Sequence, residues 1–475
     1  MAYDVVIGLE VHCELTSNSK NFSGSANSYS EEPNIFISER DLAFPGTLPV
    51  INEEGVRKAL KMALAMNCTT PEEIIFDRKN YYYPDLPGGY QITQATKPVG
   101  VNGFVVINVD GVDKKVLIHQ THLEEDTASL DHYSDYSLID YNRAGVPLLE
   151  TVTEPCLTGT EDTIAFLEAL RSIFLYTETS EARSDMGQMR CDVNISLKPQ
   201  GSETFGTKVE IKNINSFNSV KLAIEYEIKR QTKMLNNGEE IIQETRGFSE
   251  ENLNTYSMRS KADAIDYKYF QEPNIPPIKI TKKFIEEIKK EIPPLQYERI
   301  NKYMADLNLP RYDATILVKE KAIADYFEEI LKYDIDPKEA SNWISIILLG
   351  YLNKHEVSVI DIFVKPKMLA DLIKAVLENK VSRNQAKDVL YQAIEEKKEP
   401  LSVIESSGMS QISDDDSIRA IVIEVIKENP DIIEQYKSGK DRVLDFLVGQ
   451  VMKKTKGKAS PPIASKLMLE EIAKT

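Results

Sequence analysis

The order of hydrophobic patterns predicts an α+β fold, with an antiparallel sheet built first and helices following it. Up to about residue 270, apolar residues alternate with period two between turn signals, as strands half-buried on a core do. From about residue 281 the period becomes helical almost without a break. Helices do not alternate regularly with the strands, which argues against βαβ units and for segregated helices on an antiparallel sheet. At 475 residues, 42% hydrophobic and 28% charged, the chain can bury several cores, about three domains by length.

The first strand is DVVIGLEVHCEL, residues 4–15, with Val5, Ile7, Leu9, Val11, Cys13 and Leu15 on one face and Gly8, Glu10, His12 and Glu14 on the other. Thr160 caps a helix with Glu161 and Asp162 in its first turn and an apolar stripe of Ile164, Leu167, Leu170 and Phe174, the pattern of an amphipathic helix whose acids favour its N-terminus. QMRCDVNISL sends Met189, Cys191, Val193, Ile195 and Leu197 inward and leaves Arg190, Asp192, Asn194 and Ser196 outside. In TKVEIKN, Val209 and Ile211 face the core while Lys208, Glu210 and Lys212 do not. The prolines at 273, 276, 277, 293 and 294 mark a linker, since none can continue a helix or a central strand. Trp343 to Leu352 reads as a buried helix. The Ser, Gly and Asp content of residues 402–417 reads as a loop, Ser413 and Asp414 to Asp416 as helix caps, and Asn429-Pro430 as that helix's end. The expected divisions are 1–292, 293–400 and 401–475.

Several classes are excluded at once. No apolar run is long enough to cross a bilayer, and MAYDVVIGLE lacks the basic start of a signal peptide, so a cytoplasmic protein without a membrane partner is expected. Four cysteines (Cys13, Cys68, Cys156, Cys191) form no C-x-x-C pair and read as buried thiols rather than a disulfide framework or zinc ribbon. A net charge of −18 confines any nucleic-acid contact to local basic patches.

The chemistry collects on the polar faces of the strands. Each such face taken singly is what an antiparallel sheet shows to water. HLEEDTA, residues 122–128, and PLLE, ending at Glu150, add carboxylates inside or beside apolar runs, where a charge needs a partner. Carboxylates and a histidine converging on one sheet face would make an oxygen-rich site for Mg²⁺, commonly shared with nucleotide phosphates. Lys79, Arg190, Asn194, Lys208 and Lys212 would meet the remaining phosphate charge.

GSETFGTK, residues 201–208, has phosphate-loop spacing, but Thr207-Lys208 reverses the required order and a strand follows, so a hairpin turn is expected. FDRKNYYYPDLPGGYQ, residues 76–91, suits a base-stacking surface and a tyrosine-rich strand edge equally well. No amidase nucleophile segment or Cys-His glutaminase pair stands out. Near the C-terminus, Lys453, Lys454, Lys456 and Lys458 cluster beside Gly457 and Pro461, which suits either a solvated helix end or a grip on a polyanion.

As a set, VIGLEVHCEL, FDRKNYYYPDLPGGYQITQ, HLEEDTA, DYNRAGVPLLE, MRCDVNISL, GTKVEIKNINSFNSV, DYKYFQEPN and FLVGQVMKKTKGKASP resemble the B-subunit family of GatCAB tRNA-dependent amidotransferases over the whole chain. The resemblance implies a catalytic cradle related to glutamine synthetase, a helical domain and a helical tRNA-binding tail. It implies ATP-dependent transamidation of Glu-tRNA(Gln), and often Asp-tRNA(Asn), through an acyl phosphate. Ammonia would come from a glutaminase A subunit, and a C subunit would brace the assembly. Among the implied roles, His12, Glu125 and Glu150 hold one magnesium, and Glu10, Asp192 and Glu210 hold a second with the ATP. Lys79 and Arg190 touch phosphate or the ammonia path, and the tail lysines touch tRNA.

The sequence departs from the family pattern at three cationic positions, where Gly88, Gln120 and Ser129 stand, and KNFSGS lacks the cysteines some members carry for zinc. A divergent, non-catalytic paralogue that binds tRNA or partner subunits is therefore the alternative reading. A stand-alone ligase of small carboxylates is a third, against which the basic tail speaks.

Overall fold

The structure, a computed structural model, describes residues 3–214, 216–260, 266–407, 415–438, 443–455, 459 and 461–474. It forms two compact units, Met1–Glu298 and Arg299–Thr475. In the first, chain order runs β1 (Tyr3–Glu14), α1 (Glu53–Ala65), β2 (Glu73–Asn80), β3 (Tyr90–Lys97), β4 (Gly100–Val109), β5 (Val112–Glu125), β6 (Ser129–His132), β7 (Ser137–Asp140) and β8 (Pro147–Thr153). It continues with α2 (Thr160–Tyr176), β9 (Met189–Pro199), β10 (Val209–Ile214), α3 (Phe217–Asn236), β11 (Glu244–Ser249), β12 (Asn254–Ser260), β13 (Phe270–Gln271), β14 (Ile278–Lys279) and α4 (Lys282–Glu291).

The main sheet has the order β12-β11-β10-β9-β1-β8-β5-β4. Every neighbouring pair is antiparallel except β10 with β11. The expected parity holds: Ile7, Leu9, Val11 and Cys13 of β1 and Val193 and Ile195 of β9 join Leu60 of α1 and Phe166 and Leu170 of α2 in one core. β1 is central because both its edges are paired, with β8 and β9. Residues 200–208 connect the antiparallel pair β9 and β10 and no helix follows them, so GSETFGTK is a strand connection.

The α2 cap differs from expectation. Gly159 occupies the cap position, and Thr160 lies inside the helix. The side chain that organises this end is Asp162, which accepts from the Thr158 hydroxyl at 2.6 Å and Lys114 Nζ at 2.7 Å.

Helices make up the rest: α5 (Gln296–Asp306), α6 (Arg311–Leu317), α7 (Lys321–Leu331), α8 (Pro337–Asn342), a π-helical stretch (Trp343–Leu348) and α9 (Leu349–His355). Then come α10 (Pro366–Leu377), α11 (Arg383–Glu396), α12 (Pro400–Ser407), α13 (Asp415–Glu428), α14 (Pro430–Lys437), α15 (Val443–Lys454) and α16 (Pro461–Ile472). Trp343, fully buried, anchors one helical core, and its indole N–H donates to Glu339 at 2.9 Å. A separate core gathers Val422 and Val425 of α13, Leu447 and Val451 of α15 and Leu467 of α16. Asn429-Pro430 separates α13 from α14 as expected, with Pro430 opening the new helix. Ser413 and Asp414 lie outside the described residues. No helix among the described residues is long and apolar enough to cross a membrane.

Candidate active site

Strand register assembles the site. His122 of β5 stands opposite Glu150 of β8, Glu150 opposite His12 of β1, and His12 opposite Arg190 of β9. A second row sets Glu10 opposite Asp192, and a third sets Asn194 opposite Glu210. Side chains paired this way stand on one face within reach of each other.

The first cluster is two imidazoles held between two carboxylates. His12 Nε2 lies 3.3 Å from Glu150 and 3.9 Å from Glu124, and His122 Nε2 lies 3.0 Å from Glu150 and 3.6 Å from Glu124. Ligand atoms of His12, Glu124 and Glu150 all fall within 4.8 Å of one another. Burial works to lower the His122 pKa, but Glu150 and Glu124 outweigh it and push the imidazole up to about 10. His12 is raised in the same balance, burial opposing Glu150, Glu124 and Asp192. Burial would raise Glu150, yet the two histidines hold it well below the usual carboxylate range.

Glu125 does not join this cluster. Leu123 is fully buried in the core, so alternation along β5 turns His122 and Glu124 to the polar face and Glu125 away from it. Its carboxylate accepts from the Ile92 N–H at 3.0 Å and faces Arg40 at 3.7 Å. Sequence reasoning missed His122 as a site residue and chose Glu125 where the geometry has Glu124. The parity of Leu123 was the signal that could have found both.

The second cluster is Glu10, Asp192 and Glu210, again with ligand atoms within 4.8 Å. Lys212 Nζ lies among them, 2.9 Å from Asp192 and 3.2 Å from Glu210. Asn194 donates to Glu10 at 2.9 Å and Thr245 to Glu210 at 2.9 Å. Lys208, Asn194 and Glu10 border one cavity of about 300 Å³ whose other walls include Val152, Pro155 and Phe205.

Arg190 binds Asp126 at 2.7 Å. Lys79 sits 4.9 Å from the Tyr267 ring and 5.8 Å from that of Tyr81. Burial works against its charge, but Glu124, the tyrosines and Glu150 raise its pKa, so it is an ammonium beside the first cluster. In the tail, Lys454 is paired with Glu424 at 2.8 Å and Glu428 at 2.7 Å, and Lys453 is exposed. Lys456 and Lys458 lie outside the described residues. Of the departures, Gly88 lines a cavity with Glu125, Gln120 lies in β5 opposite Val152, and Ser129 opens β6. Cys13, Cys68 and Cys191 are buried free thiols, while Cys156 is half-buried.

The donor set fits hard divalent cations: one cluster is all carboxylate, the other joins carboxylates to imidazole, and no thiol takes part. A family described as the GatB/GatE catalytic domain matches residues 5–286, more than half of the chain. The chain belongs to the GatB family. A GatB domain also matches residues 325–472. Relatives named as the B subunit of aspartyl/glutamyl-tRNA(Asn/Gln) amidotransferase share 46% identity in Geobacillus kaustophilus, over all of both chains, and 44% in Persephonella marina, over 99% of each. By that name the relatives are one subunit of an amidotransferase.

Metal affinity should be pH-dependent in this GatB chain. A divalent cation taking His12, Glu124 and Glu150 must displace protons that the raised histidines hold near neutrality. Affinity should climb with pH as His12 gives up its proton, up to about tenfold per unit for each proton released. Calorimetry in buffers of different ionisation heat reads both quantities, and a flat affinity between pH 6 and 8 would contradict the assignment.

Proposed function

We propose that this GatB chain activates the side-chain carboxylate of Glu-tRNA(Gln) with ATP and converts it to the amide, with Asp-tRNA(Asn) as a second acceptor. The observation that carries the reading is the pair of carboxylate clusters on one sheet face, bordered by Lys79, Arg190 and Lys212. A carboxylate is a poor acyl donor because its oxygen leaves badly. The acceptor carboxylate oxygen attacks the γ-phosphorus of ATP, ADP departs with the broken P–O bond pair, and an acyl phosphate results. Ammonia then adds through its lone pair to the acyl carbon, inorganic phosphate leaves with the C–O pair, and the nitrogen loses a proton.

Such transfer requires positioning and charge neutralisation more than covalent help. His12, Glu124 and Glu150 would hold one Mg²⁺ and Glu10, Asp192 and Glu210 a second, once Lys212 gives way to it. Bound there, magnesium supplies charge neutralisation on the phosphates. Asn194 and Lys208, on the cavity beside Glu10, suit the nucleotide. Lys79 and Arg190 face phosphate or incoming ammonia. Ammonia would come from the A subunit, a C subunit would brace the assembly, and the tail would grip tRNA in the cytoplasm, with Lys453 and the ion-paired Lys454 both exposed in α15's last turn.

The grouping of His12, Glu124 and Glu150 favours Glu124 over Glu125 as the ligand. Glu124→Gln should lower tRNA-stimulated ATP hydrolysis by about 100-fold or more, as loss of one charge-stabilising group does, and weaken Mg²⁺ binding. Glu125→Gln should leave Mg²⁺ affinity within about threefold, well under one charge-assisted contact. Magnesium binding that fails in Glu125→Gln and survives in Glu124→Gln would reverse the assignment. Deleting residues 401–475 should weaken tRNA binding and flatten its salt dependence, while unchanged affinity would make the tail lysines a solvated surface.

A further inference from the structure

Lys79 apart, the tyrosine-rich segment 76–91 has no part in the clusters, yet the fold seats it beside them. Two short pairings do this. β13 sets Phe270 and Gln271 opposite Arg78 and Asp77 of β2, and the Asn80 side chain donates to the carbonyls of Tyr267 at 3.1 Å and Lys268 at 2.8 Å. KNYYY and DYKYF, far apart in the chain, thereby become neighbours. The Tyr81 and Tyr267 rings meet edge to face at 5.9 Å, and those of Tyr267 and Tyr269 at 6.0 Å.

This ring surface borders the first cluster. Thr93 of β3 donates its hydroxyl to Glu124 at 3.0 Å, and β3 pairs with β2, Gln91 standing opposite Lys79. The Lys79 ammonium in turn lies over the Tyr267 and Tyr81 rings. Burial is the main force raising the Tyr269 hydroxyl pKa, Lys79 opposes it, and Tyr267, Glu124 and Glu150 add to it. That ring therefore stands in the field of the cluster's own carboxylates. Tyr269 keeps 48% of its surface exposed, and Lys268 beside it is exposed as well.

Tyrosine rings interleaved with lysines suit unpaired nucleotides, because a base stacks on an aromatic face while a phosphate meets a cation. The chain's net charge of −18 repels RNA in general, so a strand is held only where cations are local. An amino acid is esterified to the last ribose of its tRNA, and the terminal base travels with the carboxylate that reacts. A stacking surface next to the metal-ligating residues is where that base arrives.

We propose that Tyr269, supported by Tyr267 and Tyr81, is the stacking surface for the unpaired 3′ end of the acceptor tRNA, with the terminal base on Tyr269 and a neighbouring phosphate on Lys268. The assignment rests on the amidotransferase reading and names where the acceptor's end is held within it.

The test assembles the full chain with its A and C subunits and measures both Glu-tRNA(Gln) binding and amide formation with ATP and ammonium. Amide formed by the native complex upholds the amidotransferase reading by itself. If none forms, that reading fails, and the binding affinities of the variants still decide the stacking surface. Tyr269→Leu should lower affinity and kcat/KM for the aminoacyl-tRNA by about 5- to 150-fold, the range of one base on one ring, and leave the KM for ATP unchanged. Tyr269→Phe keeps the ring and should stay within about threefold of native, less than one lost contact. Lys268→Gln should reduce the slope of log affinity against log salt by about 0.7, one phosphate contact on a single strand. The proposal is overturned if Tyr269→Leu binds the tRNA within about threefold of native, if Tyr269→Phe loses as much as Tyr269→Leu, or if the salt slope of Lys268→Gln is native. It is overturned equally if Tyr269→Leu weakens assembly with the A subunit while the assembled complex keeps its tRNA affinity, which would make the rings a subunit interface.

Discussion

Glu150→Gln is expected to silence the enzyme, lowering tRNA-dependent ATP hydrolysis and amide formation by about 1,000-fold or more, the scale on which preorganised charge is lost from an active site. Glu150 is the carboxylate that both imidazoles share, 3.3 Å from His12 and 3.0 Å from His122. The substitution keeps the shape and removes one of the two charges, Glu150 and Glu124, that raise the His122 pKa to about 10 against burial. The sign of the pH effect follows. A histidine raised on folding stabilises the protein fully below its unfolded value of 6.5, and that stability is lost as pH rises toward about 10. In Glu150→Gln this slope between pH 6.5 and 10 should shrink, Glu124 alone then raising the imidazole, as read by denaturant unfolding across pH. An unchanged slope together with native activity would remove Glu150 from the site.

Asp126→Asn is expected to cost stability, about 1–3 kcal/mol, because it removes the buried carboxylate on which the partly exposed Arg190 makes its charged hydrogen bond. Asp126 is buried, accepts from Arg190 at 2.7 Å and from the Thr127 N–H at 2.8 Å, and lies 3.8 Å from Arg143. Burial would raise its pKa, but Arg190 and Arg143 hold it below the ordinary value of 3.8. Its contribution is therefore present at neutral pH and lost as pH falls through the depressed value. Glu14 should respond as well. Burial, then repulsion from Asp126, raises its carboxyl to about 7, so the variant should bring that midpoint down. Denaturant unfolding and NMR titration of Glu14 check the two effects, and a loss under about 1 kcal/mol would make the pair a surface-like one.

The polar rows were legible because β1 and β9 alternate strictly, so Glu10, His12, Arg190 and Asp192 share a face by arithmetic alone, and a core face this apolar admits one register. β5 was harder. Its adjacent acids, Glu124 and Glu125, are both buried, and only the parity fixed by Leu123 tells which one meets His12. His122 was overlooked for the same reason, since it belongs to the row only once β5 pairs with β8. Arg40 was invisible because its neighbour Glu125 comes from a distant segment, and loops carry no period. At α2 the acids of the first turn were read correctly, but the cap went to Gly159 because Asp162 rather than Thr160 supplies the side-chain contact.

Amide formation on Glu-tRNA(Gln), followed together with ADP release, tests the central claim most directly. With A and C subunits, ATP, Mg²⁺ and ammonium present, the native chain should yield glutaminyl-tRNA and ADP in equal amounts. ADP release should depend on the aminoacylated tRNA. No amide and no tRNA-stimulated ADP from a demonstrably assembled complex would contradict it and leave the chain a binding subunit without catalysis.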